Sequence, residues 1–142
     1  MKNILVAVFV TLLLAASAPA SQSHGGGAVQ LVKTTRSWNG ALLPAYPAGQ
    51  PQITILRITI PPGAKLPFHE HPVINAGVLL KGELSVRTES GKTLQLKAGD
   101  PIVEVVNTWH SGFNPGSVPA EIIVFYAGVK GEPVSVIKRA HR

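Results

Sequence analysis

The chain has 142 residues, 45% of them hydrophobic and only 14% charged, and it contains no cysteine. That excludes disulfides, thiolate ligands and thiol nucleophiles, and it leaves a packed core to supply stability. The formal net charge is +6, but the basic residues are scattered except at Lys138, Arg139 and Arg142. With no aromatic-rich basic stripe beside them, they read as a solvated surface and not as a nucleic-acid site.

The first segment, residues 1–20, has the pattern of an export signal. Lys2 gives a short positive start, Ile4 to Ala16 is almost wholly apolar, and Ala18-Pro19-Ala20 forms a small-x-small cleavage site. The chain left after cleavage would begin at Ser21, be periplasmic or secreted, and carry no membrane span. A membrane anchor is the weaker alternative, because the apolar run falls short of the roughly 20 residues that cross a bilayer. The mature chain is long enough for one compact domain and not two. Residues 21–51 form a leader and N-terminal arm. In it Ser21 to Ala28, including His24, is a Gly- and Ser-rich tether, Val29 to Ser37 is expected as an edge strand, and Trp38 to Pro51 as an irregular loop anchored by Trp38 and Tyr46.

Residues 52–137 read as a β domain. Ile53 to Ile60 is rich in β-branched side chains and is stopped by Pro61-Pro62-Gly63. Val73 to Leu80 and Glu83 to Thr88 flank a tight Lys81-Gly82 connection. Thr93 to Lys97, Ile102 to Val106, Trp109 to Phe113, Glu121 to Ala127 and Val134 to Ile137 come next, separated by turn signals at Ser90-Gly91 and Ala98-Gly99-Asp100. No helical stripe interrupts them, so the expected architecture is a sandwich or barrel. Residues 138–142 are a basic tail.

Chemistry concentrates in two stretches of this domain. Gly63 is followed after five residues by His69, then by His71, Asn75 and Gly82; Gly99 is followed by His110 and Asn114. Histidines at i and i+2 on a strand face the same way. A third from a neighbouring strand would close a cluster of three imidazoles, a common ligand set for divalent transition metals. Alternation sends Glu70 to the opposite face and makes it a poor ligand.

These two stretches resemble the two motifs of the cupin family, with Asn75 where the family has a glutamate and Val105 and Asn107 replacing a proline and a glycine. The resemblance runs from about Ile53 to Gly128. It implies an all-β, single-domain cupin-type β-jelly-roll barrel, a metal held by His69, His71 and His110, and a homodimer paired through edge strands. The metal could be iron, zinc, nickel, manganese or copper.

Asn75 would be at most a weak neutral ligand. Three neutral imidazoles leave about two positive charges on the ion, which favours a small anionic or enolisable ligand. Glu104 is the acidic residue near the second motif; it is read either as a catalytic or ligating group that compensates for Asn75, or as a rim residue. Arg57, within the first apolar strand, either pairs with a substrate carboxylate or sits on the surface. Trp109 should point away from His110, Asn107 and Asn114 read as turn and hydrogen-bonding residues, and one of Phe125 and Tyr126 must face the interior. Three functions remain open: a metalloenzyme, a non-catalytic small-molecule or metal-binding module, and a structural protein with a degenerate site.

Overall fold

The structure is a computed structural model that describes residues 27–139; the expected signal segment 1–20, most of the expected 21–28 tether and the last three residues of the basic tail lie outside it. Among the described residues there is no helix. Nine strands succeed one another: β1 (Pro51–Ile60), β2 (His69–Glu70), β3 (Ile74–Lys81), β4 (Glu83–Thr88), β5 (Thr93–Lys97), β6 (Pro101–Val103), β7 (His110–Phe113), β8 (Ala120–Val129) and β9 (Val136–Ile137). They form two antiparallel sheets, one ordered β1-β8-β3-β6 and the other β5-β4-β7-β2-β9. The sheets pack as a jelly roll that hydrogen bonds do not close into a continuous barrel.

Alternation along the strands decides what lies between the sheets. In β8, Ala120, Ile122, Val124 and Tyr126 are buried while Phe125 faces out; in β4, Leu84, Val86 and Thr88 turn inward. With Ile60, Val73, Leu79, Leu96 and Ile102, the buried hydrophobic residues of β4 and β8 make one core, each large aliphatic side chain contributing about 2 kcal/mol through removal of apolar surface from water. Trp38 and Val134 pack against the edge of this core.

The expected strand over Val29 to Ser37 does not form. That stretch has no ladder partner beyond a single Arg36–Leu42 bridge, and its Val29, Leu31 and Val32 are exposed. Its apolar residues stop at Val32, and the polar stretch that follows has no neighbouring strand to pair with. The arm instead docks at Trp38, whose backbone N–H donates to the Val103 carbonyl at 2.9 Å.

Two motif positions explain themselves through backbone geometry. Gly82 joins β3 to β4 with φ +74°, and a Cβ there would meet the Pro119 carbonyl oxygen at 2.8 Å, so both conformation and space demand glycine. Asn107, where the family has glycine, is the one non-glycine residue among those described with a positive φ, 49°. Asparagine tolerates that left-handed turn, which lets its N–H donate to the His71 carbonyl at 2.9 Å.

Candidate metal centre

The ladder between β2 and β7 pairs His69 with His110, so their rings leave the same face of the sheet. His71 comes one residue past β2 and returns to that face, as strand alternation requires. The three rings converge, with centroids 5.0 Å apart for His69 and His71, 4.4 Å for His69 and His110, and 4.9 Å for His71 and His110. One nitrogen from each lies within 4.8 Å of the others.

The hydrogen bonds determine which nitrogen that is. His69 Nδ1 meets the Pro67 carbonyl at 2.9 Å, His71 Nδ1 the Val134 carbonyl at 2.7 Å, and His110 Nδ1 the Thr108 carbonyl at 2.8 Å. A carbonyl can only accept, so every Nδ1 carries the proton and donates it, and every Nε2 keeps a free lone pair. Outward tethering of one ring nitrogen with the other left free is how metal-binding imidazoles are oriented. Burial supports the same use of the site. His110 Nε2 and the side-chain oxygen of Asn75 are buried without a partner, and an orphaned acceptor in an apolar interior costs about 1–3 kcal/mol. A cation satisfies both kinds of atom, so the donor set fits a divalent transition ion.

Electrostatics keep the rings neutral. Burial lowers the pKa of His71 to about 4, only partly offset by its bond to Val134, and burial likewise lowers His69 and His110. Burial pushes Glu104 up to about 7, against the opposing effect of its bonds from Trp38 and Val105. Its Oε2 lies 3.8 Å from His110 Nε2; with both groups shifted toward their neutral forms this is a contact and not an ion pair. Tyr126, its ring edge-on to His71 at 5.4 Å, is raised to about 12, first by burial and then by Glu104.

Around these groups lies a cavity of about 50 Å³ walled by Ile58, Ile60, Leu84, Val86, Ile122 and Val124. It has room for roughly four water-sized groups. A larger cleft of about 660 Å³ on the outer face of the second sheet, between Lys65, Arg87 and Phe113, does not include the histidines.

The residues expected at the site separate into those that reach the cavity and those that do not. His69, His71, His110, Asn75 and Glu104 all line it, and Tyr126 is the aromatic residue that faces it. Arg57 does not reach it, which corrects its reading as a substrate partner. It shares the outward face of β1 with Ile53 and Ile55, is 66% exposed, and pairs with Glu121 across the strand at 3.1 Å. Glu70 is half-buried and lies outside the cavity, and Trp109 packs under Lys138. Asn114 is fully buried: its amide donates to the carbonyls of Ile60 and Val118, and its oxygen accepts from Gly116 N–H. The contact that sequence reasoning missed is Trp38 Nε1 donating to Glu104 Oε2 at 3.2 Å. It joins residues 66 positions apart, and only the suggestion of Trp38 as a loop anchor hinted at it.

Comparison with known proteins agrees with this architecture. A family model described as the cupin domain matches residues 56–126, and a search of curated proteins found no match. Among solved structures, the chain is similar to an oxalate oxidase in complex with glycolate, at 27% identity and a TM-score of 0.51 over 60% of this chain. The match spans 45% of that enzyme, less than half its length. A protein with a double-stranded β-helix domain from Klebsiella pneumoniae subsp. pneumoniae MGH 78578 aligns over 66% of this chain and 90% of its own, with 20% identity and a TM-score of 0.54. The DMSP lyase DddQ from Ruegeria pomeroyi DSS-3 aligns over 61% of this chain and 43% of its own, with 23% identity and a TM-score of 0.53; both show likeness of fold alone. With a family match that spans half its length and the jelly roll in place, this chain belongs to the cupin family.

Proposed function

We propose that the protein is an exported, metal-dependent cupin that handles a small anionic or enolisable metabolite at a divalent ion held by His69, His71 and His110. The observation that carries this reading is the gathering of three free Nε2 lone pairs by three Nδ1 tethers. Such an ion, when bound, supplies Lewis-acid or redox chemistry to a coordinated oxygen donor. The chain supplies the rest. The aliphatic wall excludes water, the neutral rings leave the ion's charge uncompensated toward an anion, and the cavity of about 50 Å³ limits the ligand to a few heavy atoms. Glycolate, the ligand of the similar oxalate oxidase, has the size and charge that this space favours.

Turnover and plain capture both need the same loaded site, so metal content is the first measurement. Elemental mass spectrometry of protein recovered from its native compartment should give close to one transition-metal ion per chain. His69→Ala, His71→Ala and His110→Ala should each lower that content at least about tenfold, since each removes a primary ligand. Calorimetric titration of the loaded protein with glycolate then separates a binding site from one closed to anions, and recovery of chemically altered ligand identifies an enzyme. Folded parent protein that neither retains nor takes up iron, zinc, nickel, manganese or copper would end the metal reading.

A further inference from the structure

The β3–β6 ladder pairs Val78 with Pro101, Gly77 with Ile102 and Ala76 with Val103. One step further along the same register places Asn75 opposite Glu104, and the Glu104 N–H donates to the Asn75 carbonyl at 3.0 Å. Residues directly opposite each other in an antiparallel pair project from the same face of the sheet, with Cβ atoms about 5 Å apart. Both side chains do line the histidine cavity. The position that holds a carboxylate in the family motif is therefore neutral here, and its partner across the ladder holds the carboxylate instead.

The placement of Glu104 suits more than packing. Oε2 accepts from the Trp38 indole N–H at 3.2 Å and the Val105 backbone N–H at 3.3 Å. It also lies 3.8 Å from the buried, unpartnered His110 Nε2. Two N–H donors on one oxygen work against the effect of burial and fix the orientation of the carboxylate plane. An acceptor for Trp38 alone needs no charge, since a glutamine amide oxygen in the same place would accept the same bond.

We propose that Glu104 is the carboxylate of the metal centre, exchanged across the β3–β6 ladder with Asn75 and held in place by Trp38 of the N-terminal arm. This rests on the three-histidine reading. Glu104, beside His110, would offset one unit of the ion's charge, while Trp38 acts as a positioning residue. The arm is thereby a component of the site, although it lies before the first strand of the domain.

The full chain, stripped of metal, is titrated with Co²⁺ and followed by visible absorbance and calorimetry, with circular dichroism and thermal unfolding as controls on each variant. The parent should bind one ion. Glu104→Gln keeps the acceptor for Trp38 but not the charge, and should bind at least about tenfold more weakly with altered absorbance. The Asn75→Glu/Glu104→Gln double variant returns the carboxylate to β3 and should recover affinity to within about threefold of the parent. Trp38→Phe should lose affinity by a smaller factor. If Glu104→Gln binds Co²⁺ as the parent does while His110→Ala does not, the role of Glu104 is rejected and the three-histidine site stands. A folded double variant with no recovery rejects the exchange of positions. A parent that takes up no Co²⁺ overturns both readings together.

Discussion

Asn107 and Asn114 show how single side chains here serve the backbone around the histidines. Asn114 closes the chain between β7 and β8 with three hydrogen bonds made by one fully buried amide. Asn114→Ala would strand two carbonyls and one N–H in the interior, and should lower unfolding free energy by roughly 3 kcal/mol in urea titration. Because its bonds reach Ile60, Gly116 and Val118 and no histidine, Co²⁺ stoichiometry should be unchanged; loss of the metal site at unchanged stability would contradict this division of labour. The histidines, Asn107 and Asn114 were legible in the sequence, since fixed spacings on strands and turns translate directly into direction. Glu104 was legible only as an alternative. Its role depends on the register between β3 and β6 and on an indole from 66 residues upstream, and neither is encoded locally.

Most strands could be placed from their β-branched content and turn residues, but facing was harder. β1 is apolar on both sides, with Ile58 and Ile60 toward the core and Ile53 and Ile55 toward solvent. Alternation alone cannot choose between two apolar faces, and so an interior place for Arg57 stayed open beside the favoured surface one. The short Val29–Ser37 segment failed for the opposite reason, having strand composition without a neighbouring ladder. Among the described residues β1 is also a ten-residue edge, hydrogen-bonded to β8 on one side only, and on the outer face of this pair Ile53 and Ile55 of β1 and Phe125 of β8, opposite Ile55, are 62, 53 and 50% exposed. Long apolar edges are a template for pairing, and we propose this surface as the seat of the homodimer that the family resemblance implies. Light scattering coupled to size exclusion should show two chains for the parent and one for Phe125→Asp, with metal stoichiometry retained. A monomeric parent, or a variant that stays dimeric, would remove this face as the interface.

At the scale of the whole molecule the buried site governs how stability depends on pH. In the metal-free protein His69, His71 and His110 have lowered pKa values, His71 about 4 against an ordinary 6.5. Their contribution is present above pH 6.5 and is lost as pH falls below it, for His71 through about 4, because the unfolded chain binds the protons that the folded one refuses. Glu104 acts in the opposite sense: its pKa is raised from 4.5 to about 7, so its contribution is present below pH 4.5 and is lost as pH rises through 7. The groups facing it are His69, His110, Tyr126 and Trp38. Three histidines outweigh one carboxyl on the acid side. Thermal midpoints should therefore peak near pH 6.5, fall steeply below it and decline gently toward pH 8. Glu104→Gln should abolish the gentle decline and leave the acid limb; superimposable profiles for parent and variant would refute the assignment.

The Nδ1 tethers have a kinetic meaning as well. Their three carbonyls belong to separate stretches of chain: Pro67 lies just before β2, Thr108 before β7 and Val134 before β9. His71 is aimed only when the strand farthest along the described chain has docked beside β2, its tethering carbonyl lying 63 residues further on in sequence. A partly folded chain can present histidines, but not three lone pairs directed at one point. Tight capture of an ion would therefore come late: it would lock a finished fold and not serve as the nucleus from which that fold grows.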